Sequence, residues 1–174
     1  SSLKPSKNVE GLIRAFAKLD ARRYSLVIVG KKAWLYDQIF TLVKELGLED
    51  RVEFTGFVDE PTKVKLMQEA SCYVLPSFFE GFGITVLEAM ACATPVVVSK
   101  IASLPEVAGE AGIYVNPHDI NSIAKGIEIA LGKEGSKFVQ RGLNRVKLFS
   151  WDKCALATLQ CLETAWAESS QSTK

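Results

Sequence analysis

Apolar residues in this chain fall into two alternating patterns. Short, mainly apolar runs occupy 24–29, 52–54, 72–75, 96–98 and 112–115, each long enough for a strand and too short for a helix. Between them the apolar residues recur three and four apart. Val9, Leu12, Ile13, Phe16 and Leu19 share one helical face, and 33–46, 60–70, 84–91, 103–107, 119–131, 133–148 and 151–166 read as further helices. The punctuation agrees. Gly47 closes 33–46, Asp59-Glu60-Pro61 opens the next helix with proline in its first turn, and Asp119 and Ser150 stand where N-caps belong. Gly135 and Gly142 weaken 133–148. Strands that are near-continuous apolar runs are covered on both faces, and alternation of strand and helix is the pattern of a parallel sheet. The expected fold is α/β: a three-layer, Rossmann-like domain with a mostly parallel sheet. Ligands of such domains sit beyond the carboxyl ends of the strands. That rule puts Lys7, Lys31, Lys32, 56–58, 80–85 and 99–103 along one edge.

Composition narrows the partners. With 174 residues and 48% apolar content the chain can bury one core, so a single domain over 1–168 is expected, with 169–174 as a disordered polar tail. Lys and Arg number 21 against 20 Asp and Glu, and a net charge of +1 argues against nucleic acid or an anionic membrane as a partner. No apolar run approaches the roughly 20 residues that span a bilayer. Ser1 opens the chain without a Met and without a signal peptide, which reads as a fragment or processed chain in a cytoplasmic setting. Cys72, Cys92, Cys154 and Cys161 show no CxxC spacing and are expected to be reduced core residues. With His118 as the single histidine, no metal site is expected.

The chemistry concentrates in residues 77–90, where the strand at 72–75 passes through Glu80-Gly81-Phe82-Gly83 into the helix at Ile84. A Gly-Phe-Gly turn at a helix start leaves N–H groups for an anion, and the helix dipole favours negative charge there. Glu80 and Glu88 bracket the turn; carboxylates are poor phosphate ligands but good acceptors for sugar hydroxyls. The pattern suits a ligand with both phosphate and sugar. Two other nucleotide signatures are absent: Gly81-Phe82-Gly83-Ile84-Thr85-Val86 lacks the third glycine of the dinucleotide fingerprint, and Gly30-Lys31-Lys32 lacks the rest of a Walker loop. Lys7 stands at a helix start, a position the macrodipole disfavours for a cation unless an anion meets it there.

This stretch resembles the donor domain of retaining glycosyltransferases of family 4, whose signature is two glutamates with seven residues between them. Here Pro76-Ser77-Phe78-Phe79-Glu80-Gly81-Phe82-Gly83-Ile84 is followed by Glu88-Ala89-Met90-Ala91 and Thr94-Pro95-Val96-Val97. The likeness extends from Lys4-Pro5-Ser6-Lys7-Asn8 to Phe149-Ser150-Trp151. Ser103-Leu104-Pro105-Glu106-Val107-Ala108-Gly109 points to a mannosyltransferase-like branch. The resemblance implies the C-terminal half of a GT-B fold, with 1–168 as a nucleotide-sugar binding domain and the N-terminal acceptor domain absent from the chain. It implies a metal-independent enzyme without a cofactor, whose donor is a nucleotide diphosphate sugar, GDP-mannose before a UDP-sugar, and whose acceptor is a glycan or lipid-linked hydroxyl. In that scheme Glu80 is catalytic and, with Gly81, Phe82 and Gly83, holds the donor sugar. Lys7, Ile84, Thr85 and Lys31 meet the diphosphate, Glu88 the ribose, and Phe57 and Val58 the base.

Two positions depart from the family. Ser2 stands where many members have arginine, which makes Lys31 the candidate second cation, and Ala93 stands where they have glycine. A nucleotide-sugar epimerase of the same architecture, or a non-catalytic binding domain descended from such an enzyme, are the alternatives.

Overall fold

The computed structural model describes residues 4–19, 23–31 and 36–171. Among these, five strands, β1 (Leu26–Val29), β2 (Val52–Gly56), β3 (Tyr73–Leu75), β4 (Val96–Ser99) and β5 (Gly112–Val115), alternate with helices. The helices are α1 (Val9–Ala17), α2 (Tyr36–Glu45), α3 (Glu60–Glu69), α4 (Ile84–Ala91), α5 (Leu104–Ala108), α6 (Ile120–Leu131), α7 (Gly135–Val146) and α8 (Trp151–Gln171). The expected beginning of α2 at Ala33, together with Ser2 and Lys32, lies outside the described residues.

All strand pairs are parallel, as the apolar runs imply. The sheet takes the form of two ladders, β1-β2 and β3-β4-β5. β3 offers little to a neighbour on its far side, being three residues long and followed by Pro76, which has no N–H. Side-chain packing spans the seam: Ile28 and Val52 share one buried cluster with Val97, Ile113 and Val115.

β4 shows why there are three layers. Val97 joins the cluster made with α1, α2 and α6, whereas Val96 and Val98 join the cluster that holds Met67, Val86, Met90 and Leu104. Successive strand side chains point to opposite faces, so α1, α2 and α6 cover one face and α3, α4 and α5 the other. All four residues of β4 are buried. Each buried valine contributes roughly 1.5–3 kcal/mol, which makes this strand the centre of the core.

Local signals explain the ends of the elements. α1 buries Val9, Leu12, Ile13 and Phe16, the face read from their spacing. After α2, Leu48 N–H donates to Val43 O and Gly47 N–H to Lys44 O, each at 3.0 Å, the pattern of a Schellman ending. Asp59 caps α3 through Thr62 N–H, and Asp119 caps α6 through Asn121 N–H. Gly142 does more than weaken α7: a Cβ there would lie 3.1 Å from Met90 Cγ, so its absence lets α7 close on α4.

α8 departs from expectation in two ways. It runs to Gln171, so 169–171 of the expected disordered tail are helical, and 172–174 lie outside the described residues. Its described side chains are exposed throughout. Cys154 and Cys161 are therefore surface thiols and not core residues, while Cys72 and Cys92 are half-buried. Burial pushes the Cys72 thiol up to about 11. None of the described helices is long and apolar enough to cross a membrane.

α4 also ends in a Schellman pattern, with Thr94 N–H on Ala89 O at 3.0 Å and Ala93 N–H on Met90 O at 3.1 Å. The residue after the cap is Ala93, at φ 60°. An alanine pays for that left-handed backbone and a glycine does not. Ala93→Gly should raise stability by about 1 kcal/mol in urea unfolding; equal or lower stability would show that the position is unstrained.

Candidate functional site

Asn8 builds the site. It sits at φ 54° between a 3-10 turn (Pro5–Lys7) and α1, and it is buried. Its Oδ1 accepts from Gly11 N–H at 3.2 Å, capping α1. Its Nδ2 donates to Pro76 O at 3.0 Å and Pro117 O at 2.8 Å, tying α1 to the end of β3 and to the loop after β5. Phe78 N–H adds a bond to Ser6 O at 2.8 Å. These contacts bring Lys7 and Glu80, 73 positions apart in sequence, into a direct ion pair between Nζ and Oε2. Both side chains are largely buried, with 21% and 16% of their surfaces exposed.

The Glu80–Gly83 loop is held from α5. Ser103 Oγ lies 3.0 Å from both Glu80 O and Phe82 O, and its single hydrogen is shared between the two carbonyls. In a trans peptide the carbonyl and the following N–H point opposite ways, so the N–H groups of Gly81 and Gly83 face away from Ser103. Ser103, on the ligand edge by sequence, is a clamp beneath the loop. Gly83 is the N-cap of α4 at φ 91°, and a Cβ on it would lie 2.7 Å from Leu104 Cδ2. Gly81, by contrast, has open space around it. Among the described residues no acceptor is found for the N–H groups from Gly81 to Thr85, and the first turn of α4 carries no acidic side chain. That is an electrostatic setting for an anion.

One turn after Ile84, Glu88 meets a residue that the motif reading missed. Lys63 Nζ donates to Glu88 Oε1 at 3.0 Å and pairs with Glu60 at 2.8 Å. The hydrogen bond to Glu60, then the bond and charge of Glu88, hold the Lys63 ammonium above its usual range against the opposing effect of burial. The second oxygen of Glu88, Oε2, is buried without a partner. A cleft of about 340 Å³ lies beside it, lined by Glu60, Lys63, Val64, Met67, Glu88 and Cys92. The signal for Lys63 was its place in the first turn of α3, just after Gly56-Phe57-Val58.

Lys31 and the expected base contacts come together. Lys31 Nζ stands 4.9 Å from the centroid of Phe57, whose ring is exposed, and Val58 follows on the same loop. Gly30 N–H bonds Gly56 O at 2.9 Å and fixes the two loops side by side. His118 stacks on Phe78 at 4.9 Å. Among the described residues no group of three or more His, Cys, Asp and Glu side chains could hold a metal.

Residues 1–142 match the protein family described as Glycosyl transferases group 1. The chain belongs to that family. Its relatives include the O-antigen chain mannosyltransferase B of Escherichia coli, 36% identical over 163 residues, which cover 91% of this chain and 43% of the relative. The serotype-specific mannosyltransferase WbdA of Escherichia coli is 34% identical over 178 residues, covering 98% of this chain and 22% of that protein. The chain thus spans less than half the length of these relatives. Among solved structures, sucrose-phosphate synthase from Thermosynechococcus elongatus superposes with a TM-score of 0.85 at 31% identity, covering 97% of this chain and 44% of the other. Anabaena HepE in complex with UDP-glucose gives 0.75 at 26%, covering 85% and 42%. The fold is that of the GT-B glycosyltransferases.

Two tests address the frame of this group 1 domain. Asn8→Ala strands two buried carbonyls and should cost about 3 kcal/mol in chemical unfolding; a loss within measurement error would show that the three bonds do not hold the site together. Gly83→Ala meets both a left-handed backbone and Leu104 and should cost about 1–3 kcal/mol. Gly81→Ala, in open space, should stay within about 0.5 kcal/mol of the parent. Equal effects of the two substitutions would contradict the geometry of the loop.

Proposed function

We propose that this chain binds the donor of a retaining glycosyltransferase, a nucleotide diphosphate sugar. The observation that carries the reading is the conjunction at the start of α4: unengaged N–H groups from Gly81 to Thr85, the Lys7 ammonium beside them, and two carboxylates of different surroundings, Glu80 on the loop and Glu88 one turn into the helix. The diphosphate occupies the helix start and takes Lys7 as its counter-charge, so a metal is not required for the leaving group. Lys31 is the second cation on the nucleotide side. The orphaned Glu88 Oε2 accepts from the ribose, and the backbone at Phe57 and Val58 meets the base. Glu80 accepts from the hydroxyls of the transferred hexose and faces the anomeric carbon as positive charge develops there. The departing phosphate takes the proton of the incoming acceptor hydroxyl on the same face of the ring, which keeps the anomeric configuration.

Mannose is the favoured sugar and GDP the favoured nucleotide. The named mannosyltransferases among the relatives support the sugar; the HepE complex with UDP-glucose keeps a uridine donor as the rival. The acceptor, a glycan or lipid-linked hydroxyl, would be held by protein beyond these 174 residues, consistent with the 43% of the Escherichia coli relative that they cover. The chain alone is therefore expected to bind donor and transfer nothing.

Calorimetric titration with GDP-mannose, GDP, UDP-glucose and UDP decides between donors. Guanosine compounds should bind more tightly; preference for uridine overturns the donor, and no binding by any of the four overturns the function. Lys7→Ala and Glu88→Ala should each weaken nucleotide binding by about 1–3 kcal/mol, roughly 5–150-fold. Unchanged affinity in both variants would remove the site.

A further inference from the structure

Tyr73 is a phenol that the donor-site scheme does not use, and it lies beneath that site. It opens β3, pairs in register with Val96, and packs its ring against the buried cluster containing Met67, Val86 and Met90. Its hydroxyl donates to Thr85 Oγ1 at 2.8 Å. Thr85 is the second residue of α4, and its N–H belongs to the unengaged set at the helix start. We propose that Tyr73 is a positioning residue for the diphosphate: it fixes the Thr85 side chain so that the Thr85 hydroxyl, already accepting from Tyr73, donates its own hydrogen to a phosphate oxygen. This rests on the donor-binding reading of the site and adds a residue to it.

Two features single out this phenol. A hydroxyl that accepts one hydrogen bond becomes a better donor of the next, and the effect is stronger where water is scarce. Tyr73 is also kept in the form that can donate. Burial pushes its pKa up to about 12; the Thr85 bond and the Lys63 charge act the other way, and the Glu80 and Glu88 charges reinforce the rise. Phenylalanine would fill the same space and keep the ring packing, so the hydroxyl alone is under test.

The experiment is a double-mutant cycle on GDP binding by the 174-residue chain, with Tyr73→Phe, Thr85→Val and the double variant, and melting temperatures of each ligand-free protein alongside. Tyr73→Phe should weaken GDP binding roughly fivefold, the worth of one hydrogen bond. In the Thr85→Val background it should have no further effect, because the relay is already cut. A purely structural tyrosine would lower affinity equally in both backgrounds, in step with the melting temperature, and that result overturns the proposal, as does unchanged GDP affinity in Tyr73→Phe. Failure of the parent chain to bind GDP, GDP-mannose, UDP or UDP-glucose takes down the donor-binding reading itself and this relay with it.

Discussion

The site depends on one buried amide. Asn8 uses both of its Nδ2 hydrogens and its Oδ1 on three different segments: the end of β3, the loop after β5 and the first turn of α1. A buried polar group is tolerated when its partners are met and is costly otherwise, so these bonds define a single arrangement of the three segments. The consequence falls on the neighbouring residue. Lys7 is carried to the mouth of the sheet and set against Glu80, at the start of a helix where a cation is disfavoured. The frame thus holds a charge where only an anion can satisfy it. Glu80 is that anion in the ligand-free chain. In the proposed donor complex the phosphates take over Lys7, and the sugar hydroxyls take over Glu80.

The same logic recurs at three places around the site, where a polar group with a proposed ligand contact is gripped from behind by a residue that makes none. Ser103 holds the carbonyls of Glu80 and Phe82, Lys63 holds Oε1 of Glu88, and Tyr73 holds the Thr85 hydroxyl. In each case the grip leaves another polar atom of the group without a partner among the described residues: a peptide N–H, Oε2 of Glu88 or a hydroxyl hydrogen. Such preorganisation matters more than raw charge, because an ordered acceptor costs less to desolvate and orient when the ligand arrives. It also separates the two glutamates. Among the described residues Glu80 is paired with Lys7 alone, while Glu88 is paired with a lysine anchored at Glu60, so in the proposed donor complex Glu80 would exchange partners and Glu88 would stay in place.

Local pattern carried a large part of this into view. The limits of α4 and β5 are those read from the apolar runs and glycines, and the Asp59 and Asp119 caps act as their positions imply. Glu80 and Gly83 follow the end of β3, where ligand sites of parallel sheets are expected, and Asn8 ties Lys7 to that end. What stayed hidden is tertiary. The partners of Glu88 and Thr85 lie 25 and 12 positions away, and no short motif encodes such pairs. Gly142 looked like a weak point in α7 because propensity is local, whereas its use is the approach of Met90. Cys154 and Cys161 looked buried because α8 is rich in apolar residues, yet composition does not say which helix faces reach the core.

Left-handed residues bound the two helices of the site, and they explain how so short a helix as α4 can leave its first N–H groups unengaged. Gly83 at φ 91° begins α4, Ala93 at φ 60° ends it, and Asn8 at φ 54° begins the helix that presents Lys7. An isolated eight-residue helix would not form in water. α4 persists because Val86, Ala89 and Met90 are buried and because both of its ends are turned sharply away, leaving no room for a longer helix. Turning the chain at Gly83 is what frees the N–H groups: a helix extended by one turn toward β3 would spend them on its own carbonyls. The cost of turning is met differently at the three points, by the absence of a side chain at Gly83, by three hydrogen bonds at Asn8, and at Ala93 by nothing beyond the Schellman bonds that close the helix. Strain of this kind survives where the surroundings over-determine the backbone. Here the surroundings are the same buried residues that fix the direction of α4, so the packing of the core and the exposure of its first N–H groups are two results of one constraint.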